Sequence, residues 1–513
     1  MKPFRTTLIA VLVLMLAGSM GSAAGYVEPP DEWDDSADVI VVGAGFAGLA
    51  AAERAASEGA STILIERMPF VGGNSIINGG VYAAYTSDRD YLYDELDLPK
   101  DSFEQHVEDT IAGGDDLPRR ELVEQMVAGS PHWLNTLMEN GLEVRDTISR
   151  PGGHAGYRTY TTINQSGSDI VVLQEEMARD AGVDIRVETT MTYIFREQPM
   201  EGRVVGIEVE TEDGTMTIGA NNAVVLTTGG FAGDEEMRQR HLEWVDADVP
   251  TTNHAGNAGD GLQLAQVVGA NTIHMSHIQL YPFAEPDTGT LDPAAVVPFS
   301  GPSFGIVYVD AEGHRFVDEG ERRDVISMAS MDTGMFPTFS IFSDDMYHAF
   351  TTSEDLERFI EDGRVLVADT LEELAEEINS VAYQDEYIDM DGNVLAKTIA
   401  THNEYIEQGE DPDFGRTIDE GIALSMEEGP YYAIPQWPSA HHTMGGVEIT
   451  AQAEVLDIYG HPIEGFFAAG EVTGGIHGTN RLGSNAIPDA GVFGLIAGQM
   501  AATGEAPEFE IFD

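Results

Sequence analysis

The 513-residue chain contains no cysteine and only three lysines, Lys2, Lys100 and Lys397. The first absence excludes disulfides, thiolate-held iron–sulfur clusters, thiol nucleophiles and haem attached through a Cys-x-x-Cys-His motif. Any such centre has to sit on a partner. The second absence belongs to a wider deficit of positive charge: 25 Lys plus Arg stand against 89 Asp plus Glu, a formal net charge of −64. At ordinary ionic strength that charge repels itself and weakens the compact state. At molar salt the Debye length shrinks to about 3 Å and the repulsion is screened. The acids are spread along a patterned, Gly- and Val-rich chain and not gathered in a tail. The composition therefore points to a halophilic protein and makes nucleic acid and anionic membranes poor partners. No metal-ligand cluster stands out, and His274 and His277 read as structural.

The N-terminus reads as an export signal over residues 1–24. Lys2 and Arg5 precede an apolar run from Leu8 to Ala17, and small residues follow with cleavage after Ala23 or Ala24. The run is short for a membrane span, and an uncleaved anchor is the alternative. Residues 25–37 read as an acidic linker. The mature chain is expected to be exported, periplasmic or otherwise extracytoplasmic, with no membrane span of its own.

Asp38 to Val42 is an apolar run of strand length, followed by Gly43-Ala44-Gly45-Phe46-Ala47-Gly48, an Ala-rich helix through Ala56, and a second strand, Ser61 to Ile65, ending at Glu66. This is the β-α-β dinucleotide pattern, with the acid for the ribose hydroxyls some twenty residues past the first glycine. The glycines make the tight turn, and the helix N-terminus favours pyrophosphate. A second Gly-rich segment follows directly: Arg67, then Gly72-Gly73-Asn74-Ser75, then Asn78-Gly79-Gly80. Backbone running along the pyrophosphate toward an isoalloxazine ring suits FAD better than NAD. Val204 to Met216 alternates like a hairpin around Asp213-Gly214, and Val224 to Leu226 is a buried strand leading into Thr227-Thr228-Gly229-Gly230-Phe231.

Near the C-terminus lie His441-His442-Thr443-Met444-Gly445-Gly446, Gly470-Glu471-Val472-Thr473-Gly474-Gly475, and Gly478-Thr479-Asn480-Arg481-Leu482-Gly483-Ser484-Asn485-Ala486. Glycines recur where backbone has to approach a flat or anionic ligand, and Arg481 offers a two-pronged donor for a carboxylate.

With Thr228 to Ala232, Gly259-Asp260-Gly261, and Arg315-Phe316-Val317-Asp318-Glu319 followed by Arg323-Asp324, these pieces resemble the flavoprotein part of soluble fumarate reductases of the flavocytochrome c type. That family includes urocanate reductase and other 2-enoate reductases, and the resemblance runs from about residue 38 to the end. It implies an α/β fold: a Rossmann-like, glutathione-reductase-type FAD-binding domain (38–278 and 441–513) interrupted by an α+β capping domain (279–440). Helix-like acidic segments, Ser353 to Asp362 and Thr370 to Val381, fall in the cap. The family's haem motifs are missing, so electrons would come from a separate c-type cytochrome or flavin-carrying protein.

The resemblance also implies a site. The FAD set is Gly43, Gly45, Phe46, Ala47, Gly48, Glu66, Arg67, Gly73, Asn74, Ser75, Gly79, Gly80, Thr228, Gly229, Asp260, His441, Gly470, Glu471, Arg481, Ser484, Asn485, Ala486 and Ile487. His442 and Arg481 would hold the substrate carboxylate, and Arg323 would donate the proton. Free arginine is a poor acid, and the alternative for Arg323 is an electrostatic stabiliser or a salt-bridged helix residue among Glu319, Glu321, Arg322 and Asp324. Tyr281 stands where fumarate reductases have a histidine for the second carboxylate. Counting back from Arg315 places Phe299 and Pro302 where the family has the Glu and Arg that reprotonate the acid; Glu285, Asp287 or Asp292 would have to substitute. Residues 298–304 then form an apolar or aromatic wall. The expected activity is hydride transfer from FAD to the C=C of an α,β-unsaturated carboxylate with an apolar or aromatic substituent. Fumarate or urocanate reduction proper, a ketosteroid-type flavin dehydrogenase and a flavin electron carrier with a decayed site are the alternatives.

From the charge alone, the thermal midpoint should rise as NaCl goes from low concentration to the molar range. A midpoint that is flat or falling with salt, followed by circular dichroism, would contradict the screening argument.

Overall fold

The first apolar run forms a strand, Asp35–Val42, whose last four residues are almost wholly buried. It begins three residues earlier than the sequence suggests, inside the stretch read as linker. The rest of that stretch is also docked: Tyr26 Oη donates to the Glu197 carbonyl at 2.9 Å, and the Trp33 ring meets Phe195 edge-on at 5.5 Å. These features come from a computed structural model that describes residues 26–245, 248–349, 353–419 and 421–512. The expected export signal lies outside the described residues.

Asp35–Val42 pairs in parallel with Thr62–Ile65 on one side and Gly214–Leu226 on the other. Asp184–Arg186 extends the sheet beyond Thr62–Ile65, and Pro462–Ala468 with Glu454–Leu456 extends it beyond Gly214–Leu226. Parallel strands buried on both faces explain the unbroken Val/Ile runs. The expected hairpin is present as Glu201–Thr211 and Gly214–Leu226, and a further antiparallel strand, Thr190–Gln198, joins it.

Helix Phe46–Ser57 crosses the C-terminal helix Ala486–Thr503 on this sheet. The crossing is close because Gly494 and Gly498 face Ala47 and Ala51, where a Cβ would run into backbone carbonyls. As a result both helices begin at the same end of the sheet, one at Gly45 and the other at Asn485, although they lie at opposite ends of the chain.

A second sheet, with its own apolar core drawn almost entirely from residues 281–434, covers that end. Its strands run in the order Ile278–Ala284, Tyr431–Thr443, Thr338–Ser343, Val307–Val309, with Leu366–Ala368 also pairing to Tyr431–Thr443. Helices Ser353–Glu361, Leu371–Ser380 and Gly392–Gln408 accompany it, the first two close to the bounds read from the sequence. The architecture is the expected Rossmann-like sheet with an α+β cap, whose strands all pair antiparallel.

The cap is braced by a buried ion network. Glu319 is fully buried and bonds Arg315 at 2.7 Å and Arg416 at 2.9 Å, and Arg315 also bonds Asp411 at 2.8 Å. Burial alone would raise the Glu319 carboxyl, but Arg416 and Arg315 hold it down at about 2. Breaking such a pair leaves an uncompensated buried charge, at a cost of about 3–5 kcal/mol. Glu319→Ala is therefore expected to destabilise the protein by about that amount in denaturant unfolding at molar salt. A loss under about 1 kcal/mol would show that the two arginines find other partners.

Candidate active site

Where the sheets meet, a cavity of about 640 Å³ runs between the two helix N-termini and the inner face of the cap. Its floor is the first β-α turn. Gly43 adopts φ 102°, in the region that favours glycine, and a Cβ there would crowd the Thr227 carbonyl. Gly45, Phe46 and Ala47 line the wall, and no side chain caps the helix start at Gly45. The Phe46 N–H donates to Ser75 Oγ at 3.0 Å, which ties the second Gly-rich segment to the first. Glu66, at the end of its strand, accepts from the Ala44 and Met68 N–H groups at 2.9 Å each and faces the same space. Arg67 pairs with Asp260 at 2.8 Å on the opposite rim. Uncapped helix starts, a backbone floor without side chains and a carboxylate beyond the first turn fit a dinucleotide.

Toward the cap the walls change character. Arg323 is the first residue of helix Arg323–Asp332, and its guanidinium lies between the rings of Tyr281 and Phe299, 4.7 and 4.8 Å from their centroids. Arg481 approaches from the Gly-rich loop. Arg323 Nη1 and Arg481 Nη2 both donate to Gln279 Oε1, at 3.4 and 3.1 Å. Among the described residues neither arginine has a carboxylate partner, and the Nε atom of each is buried without a hydrogen-bond partner. Burial lowers Arg323 to about 10, and lowers Arg481 well below the usual arginine range, where repulsion from Arg323 adds to it. The ion-paired reading belongs to the neighbour instead: Arg322 bonds Asp324 at 2.7 Å and Asp115 at 2.6 Å.

His441 and His442 end the long strand Tyr431–Thr443. Both line the cavity and differ in their partners. The His441 ring lies 4.8 Å from Tyr281, and its Nδ1 meets Thr252 Oγ1 at 2.7 Å. His442 faces His477 at 5.5 Å and Glu471 at 3.7 Å. Burial, reinforced by the nearby arginines, pushes both imidazoles well below their ordinary pKa, so both are neutral near pH 7. Burial raises the Glu471 carboxyl, which accepts from the Thr443 N–H at 3.0 Å. The Tyr281 hydroxyl is pushed up to about 12 by burial and lies 3.3 Å from the Ala295 carbonyl.

Most residues singled out from the sequence share this cavity; Gly48, Gly80 and Asn485 stand behind its wall. Gly48 lets the helix close on the Gly43 carbonyl, Gly80 takes a positive φ of 61°, and Asn485 bonds Thr110 and His106. Of the three acids weighed as proton sources, Asp292 alone lines the cavity; it is bonded to Arg364, and burial raises its carboxyl. Phe299 does pack against Arg323, and the Pro302 carbonyl accepts from Arg416. Sequence reasoning missed Gln279, whose only signal is its place two residues before Tyr281 on one strand face, and the segment Thr252 to Asn257, which lines the cavity beside Asn74.

The family described as FAD binding domain matches residues 38–487. The chain is 32% identical to a NADH:acrylate oxidoreductase of Vibrio harveyi over 91% of its own length, but spans only 50% of that relative. It is 34% identical to a urocanate reductase of Eggerthella lenta, over 93% of this chain and 76% of that one. A solved flavocytochrome c3 fumarate reductase in an open conformation matches with a TM-score of 0.70 and 31% identity, over 98% of this chain and 84% of that one. The two-sheet architecture, the dinucleotide cradle and these matches agree: the chain belongs to the FAD-binding family that includes fumarate, urocanate and acrylate reductases.

Proposed function

We propose that the protein reduces the C=C bond of an α,β-unsaturated carboxylate. The observation that carries this reading is the pair of buried arginines, Arg323 and Arg481, converging on one amide oxygen in the cavity that holds the FAD cradle. Two cations without carboxylate partners form a site for a small anion. Bound FAD supplies the hydride. Arg481 binds the substrate carboxylate, and the neutral imidazole of His442, with His441 beside it, offers further hydrogen bonding there. These groups also stabilise charge that develops on the carboxylate as the double bond is attacked. Arg323, sandwiched between Tyr281 and Phe299, presents a guanidinium N–H to the carbon next to that carboxylate and gives up the proton. Its depressed pKa makes this transfer easier than for a solvated arginine.

The substituent end is apolar and aromatic. Tyr281, Val296 and Phe299 line it, and the tyrosine that replaces the second-carboxylate histidine has its hydroxyl turned to the Ala295 carbonyl. This favours an acrylate with an apolar or ring substituent over fumarate. Electrons would reach the flavin from a separate cytochrome or flavin protein. The acidic composition and the signal-like sequence of residues 1–24 support work outside the cytoplasm in high salt. Among the described residues no helix is long and apolar enough to cross a membrane.

The test is anaerobic: flavin reduced in high salt is mixed with fumarate, urocanate, acrylate, methacrylate and cinnamate. Fast reoxidation by one of the non-fumarate enoates is expected. Reoxidation by none, with reduction of oxidised flavin by a saturated ketone, would refute the assignment. Arg323→Leu should lower kcat about 10²–10⁴-fold, whereas Arg481→Leu should act chiefly on KM. Arg323 works in its protonated form and its pKa is lowered to about 10, so the rate should hold at neutral pH and fall as pH rises through that value. A rate that keeps climbing there would remove Arg323 as the acid.

A further inference from the structure

Behind the loop that joins Arg481 to the C-terminal helix lies a buried polar cluster that the proposed chemistry does not use. Ser484, in the middle of that loop, has φ 63°, a backbone conformation that L side chains rarely adopt and that persists only where surroundings enforce it. The enforcement is visible on both sides. After Ser484, Asn485 donates to Thr110 Oγ1 at 3.0 Å and meets His106 Nε2 at 3.0 Å. Before it, the Gly483 carbonyl lies 2.8 Å from His154 Nε2.

The other His154 nitrogen decides what that contact is. Arg158 is wholly buried; it grips both oxygens of Asp101 at 2.6 and 3.0 Å, bonds Asp109 at 2.7 Å, and aims Nη1 at His154 Nδ1 from 3.2 Å. A guanidinium can only donate. His154 Nδ1 therefore accepts, the ring proton sits on Nε2, and that N–H donates to the Gly483 carbonyl. Burial, with Arg158 adding to it, lowers the His154 pKa and keeps the ring neutral.

Gly483 sits between the substrate-facing groups. Its Cα packs so tightly on Phe299 that a Cβ would overlap the ring, and the adjoining Leu482 carbonyl accepts from Arg481 Nη1 at 3.2 Å. We propose that His154, held in the Nε2–H tautomer by Arg158, is a positioning residue that fixes the Gly483 carbonyl and thereby the placement of Arg481 against the Phe299–Arg323 stack. The inference rests on reading those arginines as the carboxylate site.

The test compares His154→Leu with His154→Gln in the flavin-loaded full chain. Gln can donate to Gly483 through its amide nitrogen and accept from Arg158 through its oxygen; Leu can do neither. The Leu variant should show amide hydrogen exchange in residues 478–487 faster by about tenfold, the scale of one net hydrogen bond. Its KM for whichever enoate of the panel wild type reduces should rise by a similar factor, with kcat changed less than threefold. The Gln variant should restore both. Exchange and KM unchanged in His154→Leu would overturn the proposal, as would equal defects in both variants. If wild type reduces no enoate, the proposed function fails on its own, and the exchange comparison still decides the role of His154. Should the Leu variant not fold, the Gln variant together with Arg158→Lys provides the same contrast, with restored exchange expected only in the former.

Discussion

Two buried guanidinium groups share one acceptor, the side-chain amide oxygen of Gln279. Like charges so close repel where the dielectric is low; burial lowers the pKa of each arginine, and for Arg481 the repulsion from Arg323 adds to it. The surroundings make the arrangement tolerable without neutralising it. Aromatic faces flank Arg323, a backbone carbonyl and an amide oxygen receive Arg481, and the acids that act on Arg481, Glu471 and Asp489, form no ion pair with it. In a chain this poor in positive charge, two arginines are kept from the acids that outnumber them. Their natural complement is an anion from outside.

Everything that delivers those arginines depends on bringing distant parts of the chain together. The dinucleotide cradle comes from residues 43–80 and the Gly-rich loop from residues 470–487, and the helix crossing at Gly494 and Gly498 sets them side by side. The cap contributes Arg323, Tyr281 and Phe299 from segments that its own core holds in register. The reacting surface is thus shared: Arg481 comes with the Gly-rich loop of the cradle and Arg323 with the cap.

Much of this was legible in the sequence because it is local. A strand, a glycine turn, a helix and an acid in fixed order specify the cradle, and blocks such as His441 to Gly446 carry their meaning in consecutive residues. The two acidic cap helices were also readable, since amphipathic spacing is local. What stayed hidden is the part made by tertiary contact. Nothing around Gln279 says that its oxygen will receive two arginines from the far side of the fold. The strand Thr190–Gln198 was passed over because only its pairing with Glu201–Thr211 makes it one. Residues 26–37 resembled a linker, yet Trp33 finds Phe195 and Asp35 enters the sheet. Whether Arg323 would be ion-paired depended on which way adjacent side chains turn at a helix start, where Arg322 takes the acids.

The strand Tyr431–Thr443 bonds to Ile278–Ala284, Thr338–Ser343 and Leu366–Ala368 and ends in the two histidines of the cavity. It is at once the spine of the cap and the carrier of two imidazoles that line the cavity. Its other end is fastened outside the cap: Ala440 exchanges backbone hydrogen bonds with Pro250 and Thr252, and the Thr443 N–H donates to Glu471. The two imidazoles therefore sit on the one stretch of backbone that both scaffolds hold.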